Sequence, residues 1–162
     1  MNNLILLLGG NIGDVSDTFT IVKQDIYNRI GRIEKESEIY LTPPWGFESK
    51  HKFLNQGLKV STLFDVNKVL EITQIIEDSF GKKNNLKSGY KDRPIDIDII
   101  FFNQDIVKNK NIIVPHIHMH ERSFVLVPLC DIIPNYIHPV LKTSVIDLSK
   151  KVNKNNISKY VI

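Results

Sequence analysis

Apolar residues fill every position from 4 to 8 (Leu4, Ile5, Leu6, Leu7, Leu8) before the chain turns through Gly9-Gly10-Asn11-Ile12-Gly13. A short unbroken apolar run that ends in a turn is the pattern of a buried strand. The period then changes. Phe19, Val22, Ile26 and Ile30 recur at helical spacing, and Gly31 is placed to end that helix. Positions 33–41 and 53–62 read as two strands, linked by the Pro-rich, aromatic segment Thr42-Pro43-Pro44-Trp45-Gly46-Phe47. Asp65 is placed as the N-cap of a second helix, with Val66, Val69, Thr73, Ile76 and Phe80 on one face and Gly81 closing it. A basic stretch follows, and positions 95–102 form the next strand.

Strand, helix, strand, strand, helix, strand is the order of a split βαβ arrangement. It predicts an α+β fold with a ferredoxin-like core, a four-stranded antiparallel sheet with both helices on one face. From 103 to about 148 the chain carries Pro115, Pro128, Pro134 and Pro139 and is less regular, so additional C-terminal strands and helix are expected to pack on that core. The tail from about 150 is rich in Lys and Asn and is expected to fray. No repeat and no separating linker interrupts the chain, which predicts one domain over residues 1–162.

Composition adds little to this picture. Apolar residues make up 42% and charged residues 24%, ordinary for a soluble globular protein. No apolar run approaches the roughly 18–20 residues that span a membrane. The run at 4–8 is short and has no basic residue before it, so it reads as a strand and not as a signal peptide. Cys130 stands alone and forms no internal disulfide, which fits a reducing cytoplasm. A cytoplasmic monomer without membrane or nucleic-acid partners is the expectation. A net charge of +3 is too small to argue for nucleic acid. Its distribution says more: Lys82, Lys83, Lys87, Lys91 and Arg93 crowd one stretch, with Asp92 as its only acid.

That basic stretch runs into Arg93-Pro94-Ile95-Asp96-Ile97-Asp98-Ile99-Ile100. Alternate side chains of a strand share a face, so Asp96 and Asp98 project together while Ile95, Ile97 and Ile99 point into the core. Two carboxylates roughly 6–7 Å apart at Cα repel one another unless a hard cation sits between them. Two Mg²⁺ ions bridged to a polyphosphate form the usual clamp of phosphoryl transfer. The alternative is a strand showing its polar face to water. The basic stretch, and Arg93 at its junction with the strand, favour the metal–phosphate reading.

Phe53 and Asn55 share a face of the third strand, a ring to stack and a carboxamide to pair with an amide-edged heterocycle. An aromatic on a strand is also ordinary packing. Gln74 and Glu77 share a helix face and either line a nucleotide site or face solvent. His116, His118 and His120 would share a strand face, but no cysteine supports a zinc site there and Pro115 interrupts the strand; His116 and Arg122 suit phosphate contacts better. The Gly9-to-Gly13 turn has neither the Lys-Ser/Thr ending of a P-loop nor the spacing of a dinucleotide fingerprint.

Taken in order, Gly9-Gly10-Asn11-Ile12-Gly13-Asp14, Tyr40-Leu41-Thr42-Pro43-Pro44-Trp45-Gly46, Phe53-Leu54-Asn55, Gln74 with Glu77, Arg93-Pro94-Ile95-Asp96-Ile97-Asp98, and Pro115-His116 through Arg122-Ser123-Phe124 form a specific series. Over about residues 3–148 the chain resembles the 6-hydroxymethyl-7,8-dihydropterin pyrophosphokinases. That resemblance implies transfer of diphosphate from MgATP to the pterin alcohol, with AMP released, as a step of folate biosynthesis. It implies that Asp96 and Asp98 hold two Mg²⁺ and that Lys82 and Arg93 contact phosphates. Gln74, Glu77, His116 and Arg122 would lie on the ATP side, with Ile99 and Ile113 offering backbone atoms to adenine. The pterin would lie between Phe53 and Phe124, its edge read by Asn55 and the backbone of Thr42 and Pro43. Trp45 and Tyr90 would sit in two loops that fold over the substrates. Lys82, Asn84 and Asn111 stand where some relatives carry arginine, and Phe53 stands where some carry tyrosine.

Two other classes fit parts of the chain. A ferredoxin-like RNA-binding module would use sheet aromatics, but no such aromatic cluster is present and the acidic pair opposes a phosphate backbone. A pterin-binding relative without catalysis would keep Phe53, Asn55 and Phe124 but would not require Asp96, Asp98 and Arg93 together.

Overall fold

The computed structural model describes residues 1–44, 50–81 and 92–161. Strand β1 (Asn2–Gly10) lies inside a mixed α/β arrangement. It is followed by α1 (Val15–Arg29), β2 (Gly31–Glu36), β3 (Tyr40–Thr42), β4 (Phe53–Thr62), α2 (Val66–Ser79) and β5 (Asp96–Phe102). Beyond these come β6 (Val107–Lys108), β7 (Ile113–Val114), α3 (Ser123–Ile132), α4 (Val145–Lys150) and β8 (Ser158–Lys159). The main sheet runs β5-β1-β4-β3-β8, with β2 also on β4, and every pairing in it is antiparallel. Among the described residues no helix is long and apolar enough to cross a membrane.

Two apolar layers explain the unbroken run in β1. Leu4, Leu6 and Leu8 pack with Phe19, Val22 and Ile26 of α1 and with Val69, Ile72 and Ile76 of α2. Ile5 and Leu7 point the other way, onto Val125, Leu126, Leu129 and Ile132 of α3. A strand covered on both faces has no polar face to show. The helix caps follow from the sequence: Asp14 and Asp65 each accept a hydrogen bond from the amide three residues on, at Asp17 and Lys68. Gly81 takes a positive φ of 87° at the end of α2. Gly31 acts differently. It opens β2, where a side chain would collide with the Ser61 carbonyl of β4.

Two further expectations are corrected. The strand predicted over 33–41 is two strands, because residues 37–39 face only Gln56 and Gly57 across the ladder. That is one residue too many, and the ladder bulges. Ser37 holds the bulge: its amide donates to the Gly57 carbonyl and its Oγ accepts from the Gly57 amide. The tail expected to fray instead supplies β8, which pairs with β3, and the Tyr160 amide donates to the Ile39 carbonyl. The histidine segment lies beyond β7, which ends at Val114 before Pro115. It runs through a turn into a short 3₁₀ helix, Met119–Glu121.

Candidate active site

Residues directly opposite one another in an antiparallel pair share a face of the sheet. Gly9 of β1 stands opposite Asp96 on one side and Asn55 on the other, and Asn55 stands opposite Tyr40. One row across the sheet therefore reads Asp96, Gly9, Asn55, Tyr40. The next row reads Asp98, Leu7, Gly57. Both lie on the α3 side, the side onto which Leu7 points. The carboxylates and the carboxamide thus face the same way, two strand spacings or about 10 Å apart, with only a glycine between Asp96 and Asn55. That glycine has a local reason: a Cβ at Gly9 would lie 3.3 Å from Asn55 Oδ1.

On the carboxylate side Asp96 and Asp98 are partly exposed while Ile95, Ile97 and Ile99 are buried. The donor set is oxygen only, which fits a hard divalent cation such as Mg²⁺ and not a thiophilic metal. On the other side Phe53, Asn55 and Thr42 are buried, and Asn55 Nδ2 donates to Thr42 Oγ1 at 2.9 Å. Tyr40 Oη donates to Asp131 Oδ2 of α3 at 2.8 Å; burial and this carboxylate push the phenol well above its ordinary pKa. Arg93 joins the two sides. Its Nε lies 3.4 Å from Asp96 Oδ2, and its guanidinium carbon lies 5.3 Å from the centre of the Phe53 ring.

Arg93 is itself held by Asn11. The Asn11 amide donates to the Arg93 carbonyl at 2.9 Å, and Asn11 Oδ1 accepts from the Arg93 amide at 2.8 Å. Asn11 Nδ2 donates to Asp92 Oδ1 at 2.7 Å and to the His51 carbonyl at 3.3 Å. Gly10 lets the chains meet, since a Cβ there would strike the Pro94 carbonyl. The glycine turn fits no nucleotide box. Its use is to seat the arginine, and no local signal in the sequence names that partner.

A groove of about 400 Å³ opens beside the edge strand β5. It gathers Gln74, Glu77, Ile99, Ile113 and His116, expected on the ATP side, with Asp96 and Asp98, expected to hold the metal; Arg122 is not among its lining residues. Gln74 is exposed but Glu77 is buried, so solvent exposure does not explain that pair. His116 Nδ1 lies 3.4 Å from the His118 amide, which leaves Nε2 to carry the proton of the neutral ring. Burial first, then the nearby Arg122 and His118, lower its pKa from 6.5 to about 4, against a smaller opposing pull from Asp96. Arg122 is buried at the start of α3, its guanidinium carbon 5.7 Å from the Phe124 ring centre. Pro43 lies exposed just beyond β3. Lys82, Trp45 and Tyr90 lie outside the described residues.

Residues 5–134 match the family model described as 7,8-dihydro-6-hydroxymethylpterin-pyrophosphokinase (HPPK). The chain belongs to the HPPK family. It is 38% identical over 140 residues to a 2-amino-4-hydroxy-6-hydroxymethyldihydropteridine pyrophosphokinase of Porphyromonas gingivalis, covering 85% of this chain and 95% of that one. The protein of the same name from Bacillus subtilis is 36% identical over 137 residues, 82% of this chain and 79% of the relative. Among solved structures, a wild-type Plasmodium falciparum HPPK-DHPS superposes with a TM-score of 0.76 at 17% identity. That match covers 93% of this chain and 44% of the Plasmodium chain, so this chain spans less than half of that larger polypeptide. At that identity the likeness speaks for the fold alone. Every element that carries the HPPK-like motifs, from the turn after β1 to the start of α3, lies inside the span matched by the family.

Proposed function

We propose that this chain transfers the terminal diphosphate of MgATP to the hydroxymethyl group of 6-hydroxymethyl-7,8-dihydropterin, giving AMP and the pterin diphosphate, a step of folate biosynthesis. The observation that carries the reading is the double engagement of Arg93, ion-paired to Asp96 and stacked over Phe53. One guanidinium at the border between a carboxylate pair and a buried aromatic–amide pocket suits a reaction that joins a phosphate to an aromatic heterocycle.

In this reading Asp96 and Asp98 hold two Mg²⁺, which would offset the charge of the triphosphate and of the attacking oxygen. The pterin ring lies between Phe53 and Phe124, and Asn55 with the backbone of Thr42 and Pro43 pairs with its edge. The nucleotide occupies the groove along β5, touching Gln74, Glu77, His116 and Arg122, with backbone atoms of Ile99 and Ile113 against adenine. The hydroxymethyl oxygen gives up its proton to solvent and forms a bond to the β-phosphorus, and the bond from that phosphorus to the oxygen bridging the α-phosphorus breaks. AMP departs with that oxygen. A neutral His116 can donate from Nε2 to a phosphate oxygen throughout the neutral pH range. Arg93 and Lys82 contact the transferred phosphates, and Trp45 and Tyr90 close over the substrates and exclude water.

The ferredoxin-like description of the core is part of the same proposal. It is supported by the order β5-β1-β4-β2, in which β4 separates β1 from β2, the strands joined by α1. So are a single domain over 1–162, a monomeric state, a cytoplasmic location and the absence of nucleic-acid or membrane partners. AMP formation from ATP, followed with and without the pterin alcohol, tests the activity. AMP is expected only when the alcohol is present. Release of AMP regardless of the alcohol, or none with it, would sink the reading.

A further inference from the structure

Resting on that reading of the β5 groove, we propose that Lys110, at the tip of the β6–β7 hairpin, binds the phosphate chain of the nucleotide and sets ATP affinity in this chain. Glu77, Asp96 and Asp98 line the groove and bring three carboxylates to a site meant for a polyanion. In that reading divalent cations would offset the Asp96–Asp98 pair. Lys110 is the cationic side chain among the described residues that line the groove, and the adjacent Asn111 is uncharged.

The hairpin is built to hold that lysine at the rim. Val107 pairs with Val114 and Lys108 with Ile113. Asn109 closes the turn: its Oδ1 accepts from the amides of Asn111 at 2.8 Å and Ile112 at 3.0 Å, and its own amide donates to the Ile112 carbonyl at 3.0 Å. An Asx turn of this kind fixes the backbone on both sides of Lys110. The side chain remains exposed, so its stem can follow the ligand while its base stays in place. Compact, strongly hydrated ammonium groups on such stems pair with phosphate as point charges.

The test uses Lys110→Ala, Lys110→Glu and Lys110→Arg in the full chain. Calorimetry would measure affinity for a non-hydrolysable MgATP analogue and for adenosine, and steady-state kinetics would give KM for MgATP and for the pterin alcohol. Lys110→Ala should weaken the analogue about three- to fivefold, as an exposed charge contact does at the upper end of its range. Lys110→Glu should weaken it further, and Lys110→Arg should restore it. Adenosine affinity and KM for the pterin should not move. Analogue affinity within twofold of the parent in both Lys110→Ala and Lys110→Glu overturns the proposal, and so does an equal loss for adenosine, which would mark a packing role. A parent chain that binds no nucleotide overturns this proposal together with the reading beneath it. A parent that makes AMP while its variants bind normally overturns this one alone.

Discussion

The two faces of the sheet are made by the same strands yet do opposite things. The face under α1 and α2 is mostly apolar, with Leu4, Leu6 and Leu8 of β1, Leu54, Leu58 and Val60 of β4, and Ile97 and Ile99 of β5, and with Gln56 of β4 buried opposite Leu8. The face under α3 begins the same way, with Ile5, Leu7, Ile100 and Phe101. Then, within one strand length, it turns polar at Gly9, Asn55, Asp96 and Asp98. A bulge contributes to this change. β5 slips by one residue against β1 between Ile5 and Leu6, so Ile100 and Phe101 both serve the α3 layer while Ile99 stays on the other. The lesson is that an alternating strand need not mean a wet face. Here it marks where a covered core gives way to a site.

The largest separation between the faces should come from Asp98→Ala against Phe19→Ala. Asp98→Ala, or Asp96→Ala, removes a charge from the site and nothing from either core. Turnover should fall about 10²–10³-fold or more, while the urea midpoint should hold. Phe19→Ala empties a fully buried position on the opposite layer and should cost about 3–5 kcal/mol of stability. Its surviving folded fraction should keep kcat near the parent value. Retained turnover in both carboxylate variants would remove the role given to the pair.

His116 supplies a second contrast. The folded ring has a pKa of about 4 where the unfolded one has 6.5. Between those values the unfolded chain binds a proton that the folded chain does not, so stability falls as pH drops from about 6.5 to 4 and changes no further below that. The full effect for the metal-free protein approaches about 3 kcal/mol. Denaturant unfolding at pH 6.5 and 4.5 should show a drop in the parent that His116→Gln reduces. An identical drop in both would mean that the ring is not held neutral by its surroundings.

The apolar face was legible in the sequence almost residue by residue, because hydrophobic burial is non-directional and leaves a period behind. Phe19, Val22, Ile26, Val69 and Ile76 fall where the spacing puts them. The alternation of Asp96 and Asp98 was legible for the same reason. Contacts made by single hydrogen bonds were not. Nothing local tells that Asn11 would seat Arg93 some eighty residues on, that Ser37 would hold a bulge against Gly57, or that Tyr40 would reach Asp131 of α3. The tail misled for a further reason. Its polar composition predicts fraying, but two residues of backbone pairing on a free strand edge do not need apolar side chains.

The smallest effect tests how finely the polar half of the α3 face is set. Asn55 and Thr42 are both buried, and the carboxamide nitrogen of Asn55 donates to Thr42 Oγ1. That bond decides which end of the amide is turned toward the neighbouring strands, and hence which edge of a heterocycle it can read. Thr42→Val keeps the volume and removes the acceptor, leaving a buried N–H whose loss of partner costs about 1–3 kcal/mol. Part of that cost falls on stability, and part on the orientation of Asn55 when substrate arrives. KM for the pterin should rise several-fold, about three to ten times for an interaction near 1 kcal/mol, with KM for MgATP unmoved. Thr42→Ser, which restores the oxygen without the methyl group, should recover the pterin KM. If valine keeps the parent pterin KM and serine does not, the methyl and not the hydroxyl is what the pocket needs from this position, and the orientation of Asn55 is fixed by packing, as on the apolar face.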